Sequence, residues 1–396
     1  MLAGAIDAAL AAQLGGRQPA TVDVRWFTTE VRVHSSSDML RDYVASQYEV
    51  DVEPAPDPGA GRVRQVHAVA EPHLLARLLQ HRRDSPVVAR KAFKHETYHQ
   101  IDEDGCVALL PEGGTASHAL VTRDGDTWLL LGGEAGPPGL ALVRIIRELV
   151  REDLLDQGAL MFHGSGARTP AGRGVFLAGS SGAGKTSAAV RLAGRGGCVI
   201  GTDRTLLVPR VDGWWVVGLP TSTRLGAGSV RALGIMDALG EVAPIRAINP
   251  FNQDLPDQSY QGMSEPKVSL SNREVHQLLG VRFAPAARAH EIILLARGGF
   301  RSRLLPPAQA REALREHLLA PDPDYPDQWL RPIRSPAPQA AAALRRLAAL
   351  VSSVPVTRVQ WHPRAHCDER TSERLLPAAA GGRLPQEGGT RDRGRR

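Results

Sequence analysis

Apolar and polar positions change their spacing several times along the chain, and each change predicts an element. Val22, Val24 and Trp26, then Val31 and Val33, alternate with polar residues. That period of two predicts strands, because successive side chains of a strand point to opposite faces. Ser36 or Ser37 then offers an N-cap to a helix with Leu40, Tyr43 and Val44 on one face. Residues 1–20 read as a short helix or a loose segment, and 54–61, rich in Pro and Gly, as a loop. A second alternating run from Val63 to Val69 precedes a helix carrying Leu74, Leu75, Leu78 and Leu79. Short strands follow around Tyr98, Val107 to Leu110, Ala119 to Val121 and Trp128 to Leu131, with Asp124-Gly125 as a hairpin turn. Residues 1–138 therefore read as a smaller α+β domain, and nothing in its pattern names a reaction.

From Gly139 the spacing becomes helical: Leu142, Ile145, Ile146, Leu149 and Val150 share one face. This helix is the expected hinge into a second domain, 139–355, of α/β type. Gly158 ends it and Leu160-Met161-Phe162-His163 opens a strand. The apolar run from Gly174 to Ala178 predicts a buried strand, and Ser187 to Ala193 the first turns of a helix. Arg195-Gly196-Gly197 turns the chain into the strand Cys198 to Gly201, whose end presents Thr202, Asp203 and Arg204. Leu206 to Val208 and Trp214 to Val217 flank Asp212-Gly213, a hairpin signal in which the tryptophans serve sheet packing. Thr221 to Ser229 reads as a polar connecting loop, with hydroxyls and Arg224 able to meet anions. Further on, Glu291 to Leu295 predicts a strand, and Ala308 to Leu319 and Ala340 to Leu350 predict helices. Residues 377–396 read as a disordered basic tail.

Between the buried strand and its helix lies Gly179-Ser180-Ser181-Gly182-Ala183-Gly184-Lys185-Thr186, a complete G-x-x-x-x-G-K-[ST] phosphate loop, followed by Ser187. Its glycines let the backbone curl so that successive N–H groups face phosphate oxygens, and the helix N-terminus adds partial positive charge. Lys185 is expected to reach the β- and γ-phosphates of ATP and Thr186 to offer its hydroxyl to Mg²⁺. Ligands of open α/β sheets gather beyond the carboxyl ends of strands, so Asp203 is expected to face the phosphates.

Composition narrows the rest. Apolar residues make up 42% and charged residues 23% of 396, ordinary for a soluble globular chain. No apolar run reaches the length of a membrane span, and the first residues lack the basic start of a secretory signal. Cys106, Cys198 and Cys367 are scattered and odd in number, as in a reducing compartment, so a cytoplasmic protein is expected. The net charge of +6 comes almost wholly from arginine, since lysine occurs only at 91, 94, 185 and 267. These arginines are interspersed with acids and no aromatic-studded basic stripe appears, so neither nucleic acid nor membrane is an expected partner. Lys267, beside Glu265 and Pro266, reads as a surface lysine. His34, His67, His73, His81, His95 and His99 lack metal-ligand spacing and read as surface or satisfied core histidines. His362, His366, Cys367 and Asp368 have no second ligand cluster near them in sequence, so a metal centre is not expected there.

The stretch from His163 to Asp203 resembles the C-terminal catalytic domain of HPr kinase/phosphorylase, a bacterial serine kinase with a phosphate loop. The matching features, in order, are His163-Gly164, the loop at 179–186, Arg195-Gly196 and Thr202-Asp203. Ser229 to Asp237 is similar to that family's second signature, and the resemblance covers about half of the chain, from about 140 to 320. It implies an ATP- and Mg²⁺-dependent kinase with an alcohol acceptor, which is a peptide or protein serine or a small biosynthetic hydroxyl. It implies Asp203 as base or metal ligand, His163 as a contact to the γ-phosphate or acceptor, and assembly into a homo-oligomer. The chain departs from the pattern at Thr202 and Ser229, where the family has carboxylates, and at Ala232, where it has glycine. These changes bear on the family's reverse reaction, phosphorolysis of phosphoserine, and leave the parts of a minimal kinase site. Two other readings stay open: a nucleotide-binding regulatory module without transfer, and an enzyme like phosphoenolpyruvate carboxykinase.

Overall fold

Alternation builds the first sheet. The computed structural model describes residues 4, 20–50, 63–93, 96–103, 105–112, 117–136, 138–194, 196–226, 229–230, 233–235, 238–240, 267–320, 329–330 and 336–361. Its first strands are β1 (Ala20–Trp26), β2 (Thr29–Ser35), β3 (Val63–Ala70), β4 (Val88–Phe93), β5 (Glu96–Glu103), β6 (Cys106–Pro111), β7 (His118–Thr122) and β8 (Thr127–Gly132). They pair in the order β1-β2-β3-β8-β7-β6-β5-β4. The β2–β3 and β3–β8 pairs are parallel and the others antiparallel. Helix α1 (Asp38–Gln47) starts at Ser37, whose hydroxyl accepts from the Leu40 amide at 3.3 Å. Leu40, Tyr43 and Val44 turn inward, as their spacing predicts. Helix α2 (Pro72–Asp84) covers the opposite face of the sheet through Leu75 and Leu78, which pack with Leu129 and Leu131.

Helix α3 (Gly139–Asp156), read as a hinge from its spacing, is buried on more than its apolar face. Leu142, Ile146 and Leu149 share one core with Val33, Val66 and Leu130 of the first sheet and with Leu206, Val208 and Val217 further along the chain. Its fully buried Glu148 accepts from Arg151 Nε at 2.7 Å and Arg147 Nε at 3.2 Å, so the carboxylate is paired where water is excluded. Trp26 Nε1 adds a polar tie, donating to the Gly218 carbonyl at 2.6 Å.

The second large sheet contains β9 (Leu160–Arg168), β10 (Gly174–Gly179), β11 (Cys198–Gly201), β12 (Arg204–Arg210) and β13 (Gly213–Gly218). A separate pair, β14 (Thr223–Gly226) and β15 (Lys267–Leu270), intervenes in the chain before β16 (Arg282–Phe283), β17 (Ala286–Arg297), β18 (Arg301–Leu304) and β19 (Val356–Trp361) complete it. Its main path is β16-β11-β9-β12-β13-β17-β19-β18, and β10 lies between β9 and β17, antiparallel to the first and parallel to the second. Helix α4 (Lys185–Ala193) follows β10 and packs Ala188, Ala189 and Leu192 against Val175, Leu177 and Ile293. Its other side, Val190 and Ala193, meets Leu225 and Val268 of the small pair and Val275 of helix α5 (Asn272–Leu279). Helices α6 (Pro307–Arg315) and α7 (Pro336–Ser353) cover the second sheet through Leu314, Leu347 and Leu350. The described chain is thus mixed α/β, and no helix in it is long and apolar enough to cross a membrane.

Two expectations from the pattern change. The helix expected over 308–319 stops at Arg315, because 317–319 pairs with β9 instead: Leu319 N donates to Met161 O at 2.8 Å and His163 N to His317 O at 3.1 Å. Those β9 groups need partners where β10 has already turned away, and backbone pairing outweighs another helical turn. The connection expected over 221–229 contains β14, whose partner β15 lies beyond it in sequence. The tail at 377–396, the 54–61 loop, Arg195, Ala232 and the group His362, His366, Cys367 and Asp368 lie outside the described residues.

Candidate functional site

Strand β10 is buried along its whole length, so its carboxyl end is held on both sides before the chain turns. Gly179 has φ 149°, and a Cβ there would lie 2.4 Å from the Leu295 carbonyl oxygen. Gly182 has φ 74° and would place a Cβ 2.6 Å from Arg297 Nη2. Both positions therefore favour glycine for backbone conformation, and Gly179 also for space, since the atom it meets is backbone. Two side chains brace the turn: Arg297 Nε donates to Gly182 O at 3.0 Å and Trp361 Nε1 to Ala183 O at 2.8 Å. Ser180 and Ser181 are exposed at its tip, Ala183 is buried beneath it, and Gly184 (φ 88°) leads into α4.

Lys185 begins α4 and is only 7% exposed. Its ammonium donates to the carbonyls of Gly179 at 2.8 Å and Ser180 at 3.1 Å, folding over the turn. Thr186 Oγ1 donates to the Thr202 carbonyl at 3.1 Å, which also receives Ser165 Oγ at 3.0 Å. Ser187, one residue on, is buried in the first helical turn. The Thr186–Thr202 bond joins the start of α4 to the segment after β11, where Asp203 follows.

Asp203 is tied down by its main chain, since its carbonyl accepts from Gly164 N at 3.0 Å. Its carboxylate lies 3.4 Å from His163 Nε2 and accepts from Arg204 Nη1 at 3.1 Å. His163 and Asp203 are 49% and 38% exposed, so this pair faces solvent at the same end of the sheet as the loop. Thr202, in place of a carboxylate, is buried and takes part through its carbonyl. Lys185, Thr186, Asp203 and His163, named from sequence, are thus gathered at one end of the second sheet. Ser229 is not part of a described contact there; its neighbour Val230 packs with Val190 and Ala193 beside α4.

Four further residues belong to this end: Arg204, Arg297, Trp361 and His317. Only Arg204 neighbours a predicted residue in sequence; Arg297 and Trp361 arrive from β17 and β19, and pairing with β9 brings in His317. Burial holds its imidazole below the ordinary histidine pKa, the positive charge of Lys185 adds to this, Glu316 opposes it, and His163 lowers it further.

The oxygen donors beside the loop are the Thr186 hydroxyl and the Asp203 carboxylate. Among the described residues no three His, Cys, Asp or Glu side chains stand together as a metal cluster. Mg²⁺ suits such a sparse set, because it keeps several waters and relies on one or two protein oxygens together with phosphate oxygens. No protein-family model matches the chain, and no curated protein matches it.

Proposed function

We propose that the chain is an ATP-dependent kinase that transfers the γ-phosphate to an alcohol, either a serine of a peptide or protein or a small biosynthetic hydroxyl. The observation that carries this reading is the bond from Thr186, next to Lys185, to the Thr202 carbonyl, which ties the start of the helix to the residue before Asp203. In this reading the amides of the turn and Lys185 hold the phosphate chain. Thr186 and Asp203 would hold Mg²⁺, which supplies charge neutralisation to the phosphates. Asp203 accepts the proton of the acceptor hydroxyl as the oxygen–phosphorus bond forms and the bond to ADP breaks. His163, within reach of Asp203, fixes that carboxylate or meets the transferred group. The resemblance to HPr kinase/phosphorylase supports the same assignment, and with it a cytoplasmic homo-oligomer.

One observation favours a second reading, a nucleotide-binding regulatory module: at 202 a buried threonine stands where the resembling family has a carboxylate. The two part in one experiment. Labelled Mg-ATP is incubated with a host extract that is then separated into peptide and small-molecule fractions, beside Lys185→Ala and Asp203→Asn. Label entering one fraction, and lost in both variants, is the kinase result. Nucleotide binding without any labelled product overturns transfer and leaves the module.

A further inference from the structure

Beyond the end of β10 the sheet is continued by a segment that no motif marks. β10 pairs with β9 only over Gly164 to Arg168 of the latter. Along Met161 to His163 its place beside β9 is taken by residues 317–319, with Phe162 and Leu318 forming an antiparallel bridge. This register sets His317 opposite His163, whose amide donates to the His317 carbonyl at 3.1 Å. On the other side of β9, Arg204 of β12 is the register partner of His163. Residues opposite one another on adjacent strands present their side chains to the same face. Arg204 and His163 therefore share a face, and His317, in the turn just before the bridge, extends that row toward the start of the Lys185 helix, close enough for the charges of Lys185 and His163 to act on it.

Lys185 and His163 both act against protonation of His317, and Glu316 acts for it. Asp203 lies between His163 and Arg204 and partners both, but it stands on the β12 side of the row. A multiply charged anion beside Lys185 and His317 would attract both and so offset their mutual repulsion.

We infer that His317 is a binding residue for the terminal phosphoryl group of the nucleotide, acting with Lys185 and His163. This inference rests on the nucleotide reading above and deepens it. It names a dianionic phosphoryl group as the occupant of the row, and it makes His317 a source of discrimination between nucleoside triphosphate and diphosphate.

The test is equilibrium titration of the full-length chain with Mg-ATP and with Mg-ADP, for wild type, His317→Ala and His317→Gln. Loss of one hydrogen bond to a charged group predicts about tenfold weaker Mg-ATP binding by His317→Ala, with Mg-ADP changed by less than about twofold. His317→Gln keeps an N–H donor and is expected to recover part of the loss. The backbone bond to His163 survives both substitutions, and melting curves check the fold. If His317→Ala does not fold, His317→Gln carries the test, with a smaller but still ATP-selective loss expected. Equal changes for both nucleotides, or no change, in a folded variant would overturn the assignment of His317 while leaving the nucleotide reading intact. Failure of the wild-type chain to bind either nucleotide would overturn both.

Discussion

In the first sheet, buried imidazoles are matched with one another or with a phenol. His34 lies on His67, its register partner, with ring centroids 4.4 Å apart and planes 10° from parallel, and Tyr98 Oη meets His118 Nε2 at 2.8 Å. In the second sheet His163, inside β9 but beside the start of β12, stands half-exposed, 3.4 Å from a carboxylate and opposite a second histidine. The residue types are the same and the positions differ. His67 lies under the first sheet's own cover, and burial followed by the charge of His34 brings it down to about 4. Burial, with Arg144 adding to it, brings His118 to about 4 as well. Such groups are neutral near pH 7 and serve packing. Polar groups at the carboxyl ends of β10 and β11 meet where several segments stop together, which leaves room for a ligand.

The contrast can be broken most severely at the turn. Gly179→Ala forces a side chain against the Leu295 carbonyl at an unfavourable φ. Strain of that kind costs about 1–3 kcal/mol before the clash is counted, so a lowered melting temperature and loss of nucleotide binding are expected together. Asp203→Asn removes the proposed base without touching the turn. Because Asp203 would also hold Mg²⁺, transfer should drop by roughly 10²–10⁴-fold with a smaller loss of Mg-ATP binding, as read from single-turnover rates and titration. Lys185→Ala removes a charge aimed at the phosphates, and a loss of about 10²–10³-fold in transfer is expected with an unchanged far-ultraviolet circular dichroism spectrum.

The same contrast is sharpened by pH. His67 and His118 have folded pKa values depressed to about 4 from an ordinary 6.5, so between those values the unfolded chain binds more protons than the folded one. Stability should therefore rise as pH increases through that window and level off above it. Urea midpoints at several pH values from 4 to 7.5 measure this, and His67→Gln should flatten the slope; an unaltered slope would contradict the assignment. The smallest effect is expected from Trp26→Phe, which strips the buried Gly218 carbonyl of its indole donor. Urea unfolding should register about 1–3 kcal/mol, with nucleotide affinity unchanged.

How far the sequence reveals all this depends on how local the signal is. The buried strand, glycine turn and helix from Gly174 to Ala193 are contiguous, so apolar run, turn chemistry and helix start can be read in one pass. The hairpin turns at Asp124-Gly125 and Asp212-Gly213 are equally local, with Gly125 at φ 76° and Gly213 at φ 123°. Helix α5 also carries local signatures, a capping box in which Ser271 and Glu274 satisfy one another's amides and Val275, Leu278 and Leu279 at helical spacing. Strand β18 has the sequence Arg-Ser-Arg-Leu, which offers no apolar alternation because an edge strand needs none. The 317–319 segment is the least legible. Leu314 and Leu318 extend a helical spacing through it, and only the unpaired backbone of β9, distant in sequence, draws it into the sheet. His317 was invisible for that reason, whereas Lys185 and Thr186 were not.

Amide hydrogen exchange with and without Mg-ATP tests the division between the two sheets most directly. The account predicts slowed exchange at residues 179–187, with smaller changes at 202–204 and 316–319, and none along β2, β3 and β8. Protection that maps to the first sheet, or an unchanged pattern at 179–187 under saturating Mg-ATP, would contradict it.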